Sequence, residues 1–196
     1  MTRIIGGSLG GRRIRAPEGE GTRPTTDRVR EALFSALEAA VGTLHGLRFL
    51  DLYAGSGAVG LEAGSRGASG VTLVEHDRRA AAVAAGNARE LKLGGVDVVR
   101  LPVARFLSSG PAARAPYDVA FLDPPYSLES GAVVADLESL AGGWLAAGAL
   151  VVVERSARDP ELGWPEGYEP LRVKRYGETV LTYATWRGAE EASTAG

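Results

Sequence analysis

The densest chemistry in this 196-residue chain lies in four consecutive residues, Asp123, Pro124, Pro125 and Tyr126. Asp123 supplies a carboxylate acceptor. The two prolines fix φ and stiffen the turn, which keeps the Pro124 carbonyl out of a helix ladder. Tyr126 adds a flat face. Together they suit a planar base with an exocyclic amine, whose two hydrogens meet two acceptors while the ring stacks. A rigid loop with an Asp cap is the plainer reading. Placement argues against it, because the tetrapeptide closes an apolar run, YDVAFLD at 117–123, that reads as a strand.

A second constellation runs from Asp51 to Gly60. Gly55, Gly57 and Gly60 satisfy G-x-G-x-x-G after a predicted strand and before a predicted helix, which keeps an NAD or FAD fold open. Glycines there let backbone approach a ligand at a helix N-terminus. Asp51, four residues ahead of Gly55, shifts the balance: a carboxylate repels a pyrophosphate but suits a cationic amino-acid moiety. S-adenosylmethionine carries one, with an ammonium and a sulfonium. Ala54, Gly55, Ser56 and Gly57 are grouped with Asp51 as cofactor-side candidates. Twenty residues past Gly55, Glu75 ends the next apolar run and can accept both ribose hydroxyls of an adenosine cofactor. That ribose is common to NAD and S-adenosylmethionine. His76 is grouped with these cofactor-side candidates, although a lone His without a sequence partner most simply faces solvent. Asp77 reads as a helix cap. Two distant histidines, His45 and His76, and no cysteine make no metal site.

The elements that must position these residues alternate. Apolar runs at 47–54, 71–75, 96–101, 117–123 and 149–155 are separated by helical stretches near 57–66, 77–93 and 130–142. Continuously apolar strands interleaved with helices predict an α/β fold, Rossmann-like, with a mostly parallel sheet covered on both faces. The strands 173–177 and 179–186 are separated by Glu178 alone and predict an antiparallel C-terminal hairpin. Ahead of the sheet, Val29, Leu33 and Leu37 repeat at helical spacing behind a cap at Thr26 or Asp27. Residues 3–16 predict a small β-hairpin or loose ribbon around Gly-rich turns. The expected organisation is a basic hairpin arm at 1–24, a main domain at 25–187 and a disordered tail at 188–196.

Hydrophobic residues are 45% and charged residues 23%, which excludes a fibrous or disordered chain. No apolar run reaches the ~18 residues of a membrane span. The N-terminus shows no apolar stretch behind a basic start, so a cytoplasmic protein is expected. The net charge of −2 is uneven: residues 1–30 carry +4 and the remainder −6. Arg3, Arg12, Arg13, Arg15, Arg23, Arg28 and Arg30 make the positive end. Guanidinium forks on an acidic body suit a polyanionic partner such as RNA. A genomic bias toward Arg is the alternative, since only Lys92 and Lys174 are lysines.

In order along the chain, RIIGG, GRRI, RPTTDRVREALF, DLYAGSGAVGLEA, SRGA, VE, DPPY and YGET resemble the RsmD-type 16S ribosomal RNA guanine-N2 methyltransferases. The likeness runs from about residue 3 to 186. RPTTDRVREALF at 23–34 discriminates, because the glycine loop and D-P-P-Y also occur in DNA amino-methyltransferases. The resemblance implies a class I S-adenosylmethionine-dependent methyltransferase fold of seven strands, the last inserted antiparallel. It also implies a target guanine in the helix-31 loop of 16S rRNA, methylated at N2 in the small ribosomal subunit or its assembly intermediate. A monomer without a metal is expected. Asp51, Gly55, Ser56 and Gly57 would hold the methionine end, Glu75 the ribose, and Asp123 through Tyr126 the base. Such enzymes usually carry Asp-Ala or Asn-Ala after the third strand. Here Pro102 stands there, with neither that side chain nor an N–H, so adenine contact falls to the Val103 backbone or elsewhere. Other readings are a DNA-adenine or protein-glutamine methyltransferase, an NAD-binding dehydrogenase, and a non-catalytic RNA-binding assembly factor.

Overall fold

The computed structural model describes residues 2–16, 26–111, 113 and 115–188. It opens on a hairpin of β1 (Thr2–Arg3) and β2 (Arg13–Ile14), paired antiparallel, followed by α1 (Asp27–Val41). Thr26 caps that helix, its hydroxyl accepting from the Val29 N–H. Val29, Leu33, Phe34 and Leu37 form the buried stripe, and Gly42 ends the helix at φ 81°, a conformation that favours glycine.

The alternating run follows: β3 (Arg48–Leu52), α2 (Ala58–Ser65), β4 (Gly70–Val74), α3 (Arg78–Leu91), β5 (Val96–Val99), α4 (Val103–Ser108), β6 (Tyr117–Leu122), α5 (Ser130–Ala141), β7 (Leu145–Ser156), β8 (Tyr168–Tyr176) and β9 (Thr179–Trp186). Seven of these strands make one sheet in the order β5-β4-β3-β6-β7-β9-β8. The first five are parallel, and β9 lies antiparallel between β7 and β8. The expected fold class is the one observed. The chain steps from β3 outward to β5, then returns to the other side of β3 as β6. That reversal opens a crevice at the carboxyl ends of β3 and β6.

Strand residues alternate between two apolar layers because successive side chains point to opposite faces. Phe49, Val119, Leu150 and Val152 join α1 and α2 on one side. Leu50, Ala120, Val151 and Val153 join α4 and α5 on the other. Ile4 and Ile14 of the hairpin enter the first layer, at 0% and 2% exposure, so the hairpin is docked rather than loose.

One helix and two strand starts depart most from expectation. The six-residue α4 is preceded by Pro102 as N-cap and is too short to show helical periodicity. β7 starts at Leu145 rather than 149. β8 starts at Tyr168 rather than 173. It is an edge strand carrying Pro170 beside a register shift, so its exposed face hides the apolar signal. The tail beyond residue 188 and most of the linker before α1 lie outside the described residues. No helix among the described residues is long and apolar enough to cross a membrane.

Candidate active site

The predicted cofactor-side and base-side residues cluster at the carboxyl ends of parallel strands. Asp51 pairs with Leu73 in register, Leu52 with both Val74 and Leu122. The turns after β3, β4 and β6 therefore emerge side by side. Asp123 is tied to this edge by its own N–H, which donates to the Leu52 carbonyl at 3.3 Å.

Two carboxylates hold the glycine loop from opposite ends. Asp51 Oδ2 accepts from the Gly60 N–H at 2.8 Å, and Glu75 Oε2 accepts from the Gly55 N–H at 2.9 Å. The other Glu75 oxygen takes the Asp77 N–H at 2.7 Å. Asp77 in turn caps α3 by accepting from Arg79 and Ala80. Asp51 is 2% exposed. Burial pushes its carboxyl up to about 7, the Gly60 N–H pulls it down, and the nearby Glu75 charge pushes it up again.

The glycines divide the work. A Cβ on Gly60 would lie 2.2 Å from Leu73 Cδ2, and one on Gly57 would lie 2.8 Å from Leu73 Cδ1. Both let α2 lie close against Leu73 of β4. At Gly55, with φ +55°, a Cβ would meet nothing within 4 Å. The loop thus presents bare backbone to an open side. An adenosine cofactor with a cationic amino-acid end fits this cradle, since buried Asp51 and Glu75 give it an acidic wall. Ala54 lies in the same turn, its N–H donating to Val74 at 3.0 Å. The exposed His76 places Nδ1 3.2 Å from Glu75 Oε1. Val103 starts α4 and is buried.

On the β6 side Asp123 is half-buried, Pro124 buried, Pro125 exposed, and Tyr126 46% exposed. The turn closes through the Pro125 carbonyl, which accepts from Leu128 at 2.8 Å, leaving the Pro124 carbonyl outside it. Glu154, near the end of β7, is buried beside β9.

The Arg-rich arm is only partly a surface. Arg12, Arg13 and Arg28 are exposed. Arg3 pairs with Asp27 and Arg15 with Glu90, both arginines largely open to solvent. Arg23 falls outside the described residues. Arg30 corrects the expectation of an RNA contact: its side chain is 0% exposed. Nη2 donates to Thr2, to the Arg3 carbonyl and to Asp27, while Nε lies 3.7 Å from Glu62. Arg30 spends its charge docking the hairpin, and no phosphate reaches it there.

Sequence reading passed over three residues. Glu62 is buried on α2 and accepts from the Ile5 and Gly6 N–H groups and from Arg66. Asn87 bonds both the hairpin and the glycine loop. Tyr53 has φ 63°, unusual for a bulky residue. Its hydroxyl bonds Asp136 on α5, and burial pushes the phenol above its usual range. The only sequence signal for the two helical ones was a polar residue at an apolar helix position. A separate cavity of about 710 Å³ lies between residues 155–164 and β8 and holds none of the crevice carboxylates.

The family described as "Conserved hypothetical protein 95" matches residues 2–185. Among curated relatives, "Ribosomal RNA small subunit methyltransferase D" of Escherichia coli (strain K12) is 42% identical, covering 91% of this chain and 86% of its own. The protein of that description in Haemophilus influenzae is 36% identical, over 94% and 93%. Among solved structures, yhhF from Escherichia coli superposes with a TM-score of 0.82 at 37% identity, covering 96% and 98%. The hypothetical protein TTHA0928 of Thermus thermophilus gives 0.78 at 39%, covering 93% and 98%. With nearly its whole length matched, this chain belongs to the RsmD-type family that its motifs resemble.

Proposed function

We propose that this protein transfers a methyl group from S-adenosylmethionine to the exocyclic N2 of a guanine in small-subunit rRNA, within a ribosomal particle. The observation that carries the reading is the meeting of the Asp123–Tyr126 turn with the glycine loop at the sheet's reversal. Relatives bearing the name ribosomal RNA small subunit methyltransferase D support the class of substrate.

Asp51, Glu75 and the backbone of 54–57 would hold the cofactor, which supplies an electrophilic methyl on a sulfonium. Asp123 and the Pro124 carbonyl accept the two amine hydrogens, drawing the nitrogen lone pair out of the ring. The nitrogen forms its bond to the methyl carbon as the carbon–sulfur bond breaks. Asp123 then receives the departing proton, directly or through water. Positioning supplies most of the acceleration. Tyr126 stacks on the guanine, which leaves its own stack more easily from a loop than from a duplex. Arg12, Arg13 and Arg15 orient the RNA through phosphates.

The test is transfer of labelled methyl to small subunits from cells lacking the protein, beside naked rRNA and DNA. Label at one guanine as N2-methylguanine supports the reading. Label in DNA, or none in any nucleic acid, overturns it.

A further inference from the structure

One buried amide joins the two ends of the proposed reaction. Asn87, on α3, is 1% exposed. Its Oδ1 accepts from the Arg15 N–H at 2.9 Å, and its Nδ2 donates to the Arg15 carbonyl at 2.9 Å and to the Ser56 carbonyl at 3.0 Å. The orientation is fixed, since one partner is a donor and the other two are acceptors. Arg15 immediately follows β2 in the basic hairpin. Ser56 sits between Gly55 and Gly57 in the glycine loop. Other polar groups hold the hairpin elsewhere: Glu62 accepts from the Ile5 and Gly6 N–H groups, Ser65 bonds Gly6 and Leu9, and Arg30 donates to the Arg3 carbonyl. Of these anchors, Asn87 is the one that bonds the glycine loop as well.

We propose that Asn87 is the positioning residue that ties the basic hairpin to the glycine loop, so that cofactor and RNA strengthen each other's binding. This rests on the functional reading above. A ligand that holds residues 54–57 in place keeps the Ser56 carbonyl on Nδ2. The amide is then fixed and presents Oδ1 to the end of the hairpin. If the loop relaxes, one of the two Nδ2 hydrogens loses its acceptor in a buried site, which is costly, and the pair of bonds to Arg15 loses the brace that fixes the amide. Linkage makes the effect reciprocal: RNA that seats the hairpin tightens the cofactor by the same factor.

The experiment measures binding of unmethylated small subunits with and without saturating S-adenosylhomocysteine, which blocks turnover. Wild type should bind about tenfold more tightly with it, within the usual range of couplings. Asn87→Ala should lower that factor to within about twofold of unity. Asn87→Asp keeps the acceptor for Arg15 but loses both donor bonds, and should do the same. Glu90→Gln, which removes only the exposed pair to Arg15, should leave the factor intact. In the unmutated chain, S-adenosylhomocysteine should slow hydrogen exchange at the Arg15 amide, a readout that does not depend on a variant folding. Unchanged exchange at Arg15, or the same coupling in both Asn87 variants, overturns the proposal. A wild type that methylates subunits without any coupling removes the linkage alone. One that neither binds nor methylates them removes the functional reading and the linkage with it.

Discussion

The two sides of the crevice are made rigid by different means. At the ends of β3 and β4 the acidic side chains are buried and bonded to backbone: Asp51 to Gly60, Glu75 to Gly55 and Asp77. At the end of β6 stiffness comes from proline rings, and Tyr126 is 46% exposed. The first side is a prebuilt pocket whose polar groups are already aligned. The second is a firm ledge with an open approach, which a base swung out from a large RNA can reach. A small, constant ligand suits the former and a bulky polyanion the latter.

The comparison breaks most visibly at Asp123. Asp123→Ala should lower the rate of methyl transfer by about a thousandfold, on the scale of losing one transition-state partner. Affinity for S-adenosylhomocysteine, measured by calorimetry, should stay within about twofold, because the buried side is untouched. A parallel loss of affinity would show the two sides to be one unit.

Asp51→Asn should act on the opposite side, weakening S-adenosylhomocysteine by about 10- to 100-fold, the scale of a charge-assisted bond. It should also remove a pH dependence. With its folded carboxyl raised from 3.8 to about 7, Asp51 contributes stability fully below 3.8 and loses it as pH rises through about 7. In the ligand-free protein the melting temperature should therefore fall across that window, and less steeply in the Asn variant. Ligand affinity should move the other way, strengthening as pH rises and the carboxylate forms beside the ammonium. A flat affinity profile in wild type would remove Asp51 from the cationic end.

Gly60→Ala tests packing beneath the pocket. The added carbon would lie 2.2 Å from Leu73 Cδ2 and 3.0 Å from Val71 Cγ1, an overpacking expected to cost about 1–3 kcal/mol in chemical denaturation. On the open side Tyr126→Ala should reduce kcat/KM about tenfold, within the range for one stacked base, with Tyr126→Phe retaining most of it. Equal losses in both variants would point to the hydroxyl instead of the ring. The smallest change belongs to the exposed arm. Replacing Arg12, Arg13 and Arg15 together should leave folding unaltered and flatten the salt dependence of RNA binding. An unchanged slope would return them to ordinary surface.

Much of this was readable before any coordinates. The apolar runs specify buried parallel strands because both faces of each must be covered, and D-P-P-Y and the glycine loop reveal themselves by falling at strand ends. The spacing of Asp51 and Glu75 about Gly55 places both carboxylates near the loop. Alternation could not reveal the six-residue α4, nor the early start of edge strand β8, where solvent removes the need for apolar residues on one side.

What only the tertiary structure decided is where each charge is spent. Arg30 and Arg3 belong to one basic segment, yet Arg3 is largely open to solvent and Arg30 is enclosed between the hairpin and Glu62. Asn87 lies 72 residues from Arg15 and 31 from Ser56, and only the packing of α3 against hairpin and loop makes them neighbours. Periodicity tells which face of a helix is apolar. A buried polar group on that face finds its partners through contacts distant in sequence, because desolvation demands a partner without specifying from which part of the chain it comes.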